Sequence, residues 1–284
     1  MDLGYGIIVP VRNEAALLPV TVPRLLAATK GDQVRIIWVC NGCTDDSAKM
    51  IRCLAGPAAE VIELARPGKT TALQAGDDAL GGLFPRLYLD ADTWLRPGDI
   101  ALLMQPLLSG AVDLVAPRLR FDVAGASGIA ARIGACWLSL PHAQTTAFSN
   151  AIGLSSAARA LWGKWPEIIG DDAFVAAIVA AHMPPLRKQV IDTALATISM
   201  PRSFNGWVRM RARWLQGEAE LVRLGFSPPR AARQRSSLLR QLVFPSTAVG
   251  AWAFLVARVL AKVARADATT SAWMPDRMTD VERF

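Results

Sequence analysis

The chain has 284 residues, 52% of them hydrophobic and 19% charged, with a formal net charge of +7. Its length and apolar content fit a large α/β domain with an appendage and exclude wholesale disorder. The cationic surplus suits an anionic partner such as a phosphorylated substrate or an acidic membrane face. Nucleic acid is not expected, because the Arg-rich last third has few interleaved aromatics and no nucleic-acid-binding motif.

The opening MDLGYGIIVP carries Asp2 and no basic stretch ahead of its apolar run, so no secretory leader is expected. YGIIVPV reads as a strand, followed by a helix from about Glu14. VRIIWVC is the next strand, with TDDSAKMIRCLA as its helix. EVIELA, the helix KTTALQAGDDAL, the strand RLYLDAD, the helix PGDIALLMQPLLS and the strand DLVAPRLRF follow. Strands separated by helices of this length predict βαβ units in a mainly parallel, Rossmann-like sheet flanked by helices.

The second half is less regular. ARALWG reads as helical, and GDDAFVAAIVAA as a helix opened by acids in its first turn. Long helices are expected from Ser203 to Leu224 and from Ser236 to Ala264. Between Arg240 and Arg258 runs QLVFPSTAVGAWAFLVA, seventeen uncharged residues at the lower limit for crossing a bilayer. Pro245, Gly250 and the basic continuation RVLAKVAR favour an interfacial helix over a span, with a buried helix as the alternative. The expected division is residues 1–200 as the catalytic domain and 201–284 as a helical, basic extension.

Polar clusters fall at the ends of the expected strands: Arg12-Asn13-Glu14, Asn41 to Asp46, Pro67-Gly68-Lys69 and Asp90-Ala91-Asp92. Ligands of parallel sheets bind beyond the carboxyl ends of the strands, so this rim is the expected site. CNGCTDD also contains a C-x-x-C. A redox pair would sit in such a place, but a zinc site would need further ligands, and there is no second C-x-x-C. Four cysteines in a chain of this length form no extracellular disulfide framework, so a cytoplasmic, reducing location is expected.

In extended chain, Asp90 and Asp92 would point the same way and could share a cation. Carboxylate oxygens suit Mg²⁺ or Mn²⁺; the alternative is a surface turn. Lys69 at a helix start suits phosphate, though neither a Walker A loop nor a G-x-G-x-x-G is present. Asp171 and Asp172 read either as helix caps or as a general base facing an acceptor hydroxyl. His182 is read as structural and His142 as a site candidate; neither has metal-ligand spacing, and no G-x-S-x-G accompanies them.

These motifs together resemble family 2 glycosyltransferases of the GT-A fold. IIVPVRNE resembles that family's first strand and P-x-x-N-E turn, and CNGCTDDS stands where its D-D-G-S-T-D turn falls. RPGKTTALQAG is similar to G-K-x-x-A-L-N-x-G, LDAD to D-x-D, the run ending IIGDDAFV to the acceptor-side E-D stretch, and RARWLQGE to the end of Q-x-x-R-W. The resemblance implies a nucleotide-sugar donor, an Mn²⁺ or Mg²⁺ cofactor and inverting, single-displacement chemistry.

By position, Pro10, Asn13 and Glu14 would shape the nucleoside pocket, with Asn41 facing the base and Lys69 on the donor. Asp90 would meet ribose or metal, and Asp92 would coordinate the metal. Asp172 would be the base, supported by Asp171 in place of the usual Glu. Arg213 and Trp214 would lie near the diphosphate or acceptor. The Gln of Q-x-x-R-W is Met210 here, and Cys40-Asn41 replaces the acidic pair. The apolar, basic C-terminal region suggests a lipid-linked or polysaccharide-precursor acceptor, an anionic membrane surface as partner, and a peripheral place on the inner membrane face. A sugar-nucleotide nucleotidyltransferase would release pyrophosphate rather than nucleoside diphosphate. A non-catalytic binding protein on the same sheet would tolerate loss of Asp92 and Asp172.

Overall fold

The computed structural model describes residues 4–140, 149–182, 187–226 and 245–267. They divide into two compact units. One runs to Arg120 and resumes up to Ile198; the other holds the segment from Phe121 and everything described from Ser199 on. The second unit therefore includes residues ahead of the expected boundary at 200, because the helix after Phe121 packs with the C-terminal helices.

The first unit is built on β1 (Tyr5–Val11), α1 (Leu18–Ala28), β2 (Val34–Asn41), α2 (Ser47–Ala55), β3 (Glu60–Leu64), α3 (Lys69–Leu80), β4 (Arg86–Leu89), β5 (Thr93–Leu95), α4 (Asp99–Leu108) and β6 (Leu114–Asp122). After the helix α5 (Gly128–Leu138) come β7 (Ala151–Leu154), α6 (Ser156–Arg159), α7 (Asp171–Ala181) and β8 (Lys188–Ser199). The sheet order is β3-β2-β1-β4-β7-β6-β8-β5. Its first half is parallel, as the alternation of strands and helices predicts. Beyond β4 it turns antiparallel: β7 runs against β4 and β6, and β5 runs against β8.

Every residue of β1 is buried, which suits a strand covered on both faces of a parallel sheet. Ile7, Val9 and Val11 join Leu18, Val22, Trp38 and Ile51 in one core. At about 25 cal/mol per Å² of buried apolar area, such side chains each contribute about 1.5–3 kcal/mol. On the other face, α3 lies close to β1, and a Cβ on Gly76 would stand 2.4 Å from Ile8 Cγ2. The chain leaves β1 toward β2 and β3, then returns to its other side as β4. That reversal is a topological switch point, and in such sheets ligands bind beyond the carboxyl ends of the strands beside it, here β1 and β4.

The second unit contains α5, α8 (Phe204–Arg223) and α9 (Pro245–Asp267). Ile133, Trp137, Trp207 and Phe254 form its core, with Trp207 and Phe254 edge-to-face at 6.4 Å. The Ser203–Leu224 expectation matches α8. The expected Ser236 start lies outside the described residues, as does His142. Among the described residues no helix is long and apolar enough to cross a membrane.

Candidate active site

The rim is a web of loop contacts. Asn13 takes a left-handed conformation, φ 53°, and its Oδ1 accepts from the Thr44 amide at 2.8 Å. Asp45 receives the Ala15 amide at 3.0 Å and the Ser47 hydroxyl at 2.6 Å, while Ser47 Oγ accepts from the amide of buried Glu14 at 2.9 Å. The turn after β1 and the turn after β2 are thus held as one piece, above buried Pro10.

Asn41 lies beneath that piece, 1% exposed. Its Nδ2 donates to the Val11 carbonyl at 2.9 Å and its Oδ1 accepts from the Gly68 amide at 3.1 Å. Both ends of the amide are engaged by backbone, so Asn41 is a strut joining three loops. Gly42 follows at φ 60°, where a Cβ would meet the Pro67 nitrogen at 2.7 Å. Only glycine lets the two turns approach so closely.

The neighbouring thiols interact. Cys40 is buried and Cys43 half-buried, and both are free. The hydrogen bond between them, with help from the Asn13 backbone and Ser47, lowers Cys43 to about 7 against the opposing effect of burial, while Cys40 is pushed up. Among the described residues no group of three or more His, Cys, Asp or Glu could hold a metal.

β4 ends at Leu89, and Asp90 to Asp92 form a turn rather than extended chain. The alternation argument for Asp90 and Asp92 therefore does not apply; loop contacts set their placement. Asn150, itself left-handed at φ 61°, accepts the Asp90 amide at 2.8 Å and donates its Nδ2 to Asp90 Oδ2 at 3.2 Å. From below, Thr21 Oγ1 donates to the Ala91 carbonyl at 2.9 Å and accepts from Trp94 Nε1 at 3.2 Å. Sequence reading missed Asn150, since an Asn before a short strand carries no signal of its own.

Lys69 joins the rim to the start of α7. At the first position of α3, its Nζ lies 2.7 Å from Asp90 Oδ1 and 3.0 Å from Asp171 Oδ2. Burial disfavours its charge, yet Asp171, Asp90 and Asp172 together hold its pKa above the ordinary value. Asp171 is raised to about 6, by burial first and then by Asp172 and Asp90, with Lys69 opposing. Asp171 and Asp172 open α7, and Asp172 Oδ1 accepts from the amide of Ala173 at 2.7 Å. Residues more than eighty positions apart thus share one buried charge cluster.

A second buried cluster supports this one. Asp77, on α3, accepts from Arg86 Nη1 at 2.6 Å, Tyr88 Oη at 2.6 Å, Arg159 Nε at 2.7 Å and Trp165 Nε1 at 2.8 Å. Gln74 Oε1 receives the Trp165 amide at 3.0 Å. Trp162 and Trp165 pack edge-to-face at 5.1 Å, and Trp162 meets Phe174 of α7 at 5.7 Å. The helix that carries Lys69 therefore also anchors the segment leading to Asp171.

Arg213 and Trp214 belong to α8 of the second unit, where Trp214 packs 6.0 Å from Trp137 under Arg211 and the Arg213 Nε is buried with no hydrogen-bond partner among the described residues. His182 caps α7, its Nδ1 2.8 Å from the Ile178 carbonyl. Arg12, at the end of β1, likewise keeps a buried Nε with no partner among the described residues.

Residues 6–155 match glycosyl transferase family 2. Among solved structures, the chain is similar to a mannosyltransferase from Pyrobaculum calidifontis in complex with GDP-Man and Mn²⁺. The identity is 19% and the TM-score 0.59, covering 94% of this chain and 76% of that one. It is also similar to glucosyl-3-phosphoglycerate synthase from Mycobacterium tuberculosis in complex with Mn²⁺, UDP-glucose and phosphoglyceric acid. There the identity is 17% and the TM-score 0.53, covering 80% of this chain and 82% of that one. The shared fold is that of GT-A glycosyltransferases. No curated protein matches the sequence.

Proposed function

The chain belongs to glycosyl transferase family 2, and from that premise we propose a metal-dependent, inverting transfer of a sugar from a nucleotide-sugar donor to the hydroxyl of a lipid-linked or polysaccharide-precursor acceptor. The observation that carries this reading is the Lys69 bridge, which ties the donor-rim carboxylate Asp90 to the acceptor-side Asp171. Pro10, Asn13 and Glu14 shape the nucleoside pocket, and the Arg12 Nε, buried with no partner among the described residues, is a donor left for a ligand.

Asp90 and Asp92 are the carboxylates that would hold Mn²⁺ or Mg²⁺. Two fit a site that substrate phosphates complete. Lys69 already engages Asp90, so Asp92 is the first ligand we assign. When bound, the cation offsets negative charge on the departing diphosphate. Both similar structures named above hold a nucleotide sugar and Mn²⁺.

On the other side of the sugar, Asp172 takes the proton of the attacking hydroxyl as its oxygen bonds to the anomeric carbon. The bond from that carbon to the diphosphate breaks, and the configuration inverts. Lys69 keeps Asp171 ionised and paired, so that the carboxylate beside it remains available as the base. The protein works in the cytoplasm, at the inner face of the membrane.

The test is release of free nucleoside diphosphate from uridine, guanosine, thymidine and cytidine sugar donors, with Mn²⁺ or Mg²⁺. Asp172→Asn should lower kcat by about 10²–10⁴ while the donor still raises Tm. Release of pyrophosphate would instead identify a nucleotidyltransferase. If no donor gave a metal-dependent thermal shift, the donor site would be misassigned.

A further inference from the structure

Six of the large apolar side chains exposed among the described residues stand on one helix, α9: Val249, Trp252, Val256, Val259, Leu260 and Val263. Their spacing of three and four places them along one side. The opposite side, with Ala251, Phe254, Ala257 and Ala261, is buried. Phe254 packs in the core with Trp207 and Trp137 of α8 and α5. A helix that buries one apolar face and exposes another has a partner for the second. Trp252 is 59% exposed, and Val259 and Val263 are each 61% exposed, too much to be scattered surface apolar residues.

Charge identifies the partner. Between Glu220 and Asp267 the sequence has eight cations and no acid. Two of them, Arg258 and Lys262, lie on α9 within the apolar stretch, and Lys262 is exposed. We propose that this face of α9 docks on an anionic lipid bilayer, lying in the plane of the interface with its valines in the acyl boundary. Trp252 supplies the amphipathic ring that settles at headgroup level. The stripe from Val249 to Val263 is about 21 Å long at 1.5 Å per residue, and an interfacial helix sinks about 5–10 Å.

A second copy of the chain is the other occupant such spacing could take. Self-pairing would need opposite charges flanking the seam. Here the positions bordering the stripe hold Ala253, Leu255 and Lys262, whose only charge is positive, so two copies would bring like charges together. An anionic bilayer answers both the apolar stripe and the one-signed charge. This deepens the amphiphilic-acceptor reading above and relies on it only for its purpose, since docking itself needs neither donor, acceptor nor metal.

The full chain is floated with vesicles of phosphatidylcholine alone or mixed with phosphatidylglycerol, at low and high salt. Wild type should bind the mixed vesicles and release as salt rises. Val256→Glu/Val259→Glu should reduce that binding by at least about tenfold, with unchanged Tm and circular dichroism because both positions face solvent. Trp252→Ser, a smaller change, should weaken binding in the same direction. Wild type that fails to float with the mixed vesicles, variants that float equally well, or equal binding to phosphatidylcholine alone would overturn the proposal. So would a wild-type dimer in light scattering that Val256→Glu/Val259→Glu converts to monomer.

Discussion

Lys69→Met removes one charge from the site and keeps the length of the side chain. In the wild type the ammonium bridges Asp90 and Asp171, whose side chains are 24% and 13% exposed. Leaving buried charges uncompensated costs about 3–5 kcal/mol. Asp171 can relieve part of this by taking a proton, so we expect about 3 kcal/mol, or a fall in Tm of about 6–12 °C for a chain of this size.

The pH dependence separates this mechanism from simple loss of packing. Asp171 is raised from 3.8 to about 6, so the folded state favours its protonated form. Its contribution to stability is fully present below 3.8 and lost as pH rises through 6. The total is about 3 kcal/mol over two pKa units. Lys69 is shifted upward, so its contribution persists below the ordinary lysine value and is constant across this window. Wild-type stability should therefore fall from pH 4 and level off above about 7. In Lys69→Met the opposing cation is gone and burial, Asp172 and Asp90 raise Asp171 further, so the fall should continue through pH 8. Urea unfolding at unit steps from pH 4 to 8 measures both curves. A variant as stable as wild type, or one destabilised equally at pH 5 and pH 8, would refute the electrostatic account of the bridge.

Asp77→Ala should destabilise by about 3–5 kcal/mol, because it strands the buried Arg86 and Arg159 together; soluble yield and urea midpoint report it. Gly76→Ala should also lower stability. Helix propensity favours Ala by about 1 kcal/mol, but its Cβ would meet Ile8 at 2.4 Å, and overpacking costs about 1–3 kcal/mol. An unchanged or higher urea midpoint would show that α3 moves off β1 freely. Alkylation of Cys43 by iodoacetamide should inflect near pH 7, and Cys40→Ala should move the inflection upward, since Cys40 is the largest cause of the lowering. Mass spectrometry of the labelled peptide reads this, and an inflection near the ordinary thiol value of about 8.5 would contradict the pairing.

The parallel half of the sheet and the rim were legible because β-branched runs such as YGIIVPV and VRIIWVC stand out and polar clusters end them. Of the antiparallel half, only β6 was, from DLVAPRLRF. β7 is only AIGL, and the buried positions of β8 are Ile191, Ala194, Ala196 and Ile198; the first falls out of step with the other three, so its period-two signal is faint. Glycines at both its start and its middle weaken the helical pattern of α5. Asp77 and Asp78 read alike in sequence, yet the first is buried among arginines and the second is on the surface. One of those arginines lies 82 positions away, beyond the reach of any local pattern. Asn41 was noticed for the right reason, its place at a strand end, but the amide bonds that define its role are made to backbone of distant loops.

The contacts of Asp77 and Gln74 also set a rule for recombination. The segment from α6 to α7 carries Asp171 and Asp172, and it is keyed to α3 through Arg159, Trp165 and their partners on that helix. Grafting a foreign α6–α7 segment beside this α3 would leave Asp77 facing unmatched neighbours. The stretch from α3 through α7 is therefore one exchangeable cassette, and a chimera should cross over ahead of α3 rather than between it and α6.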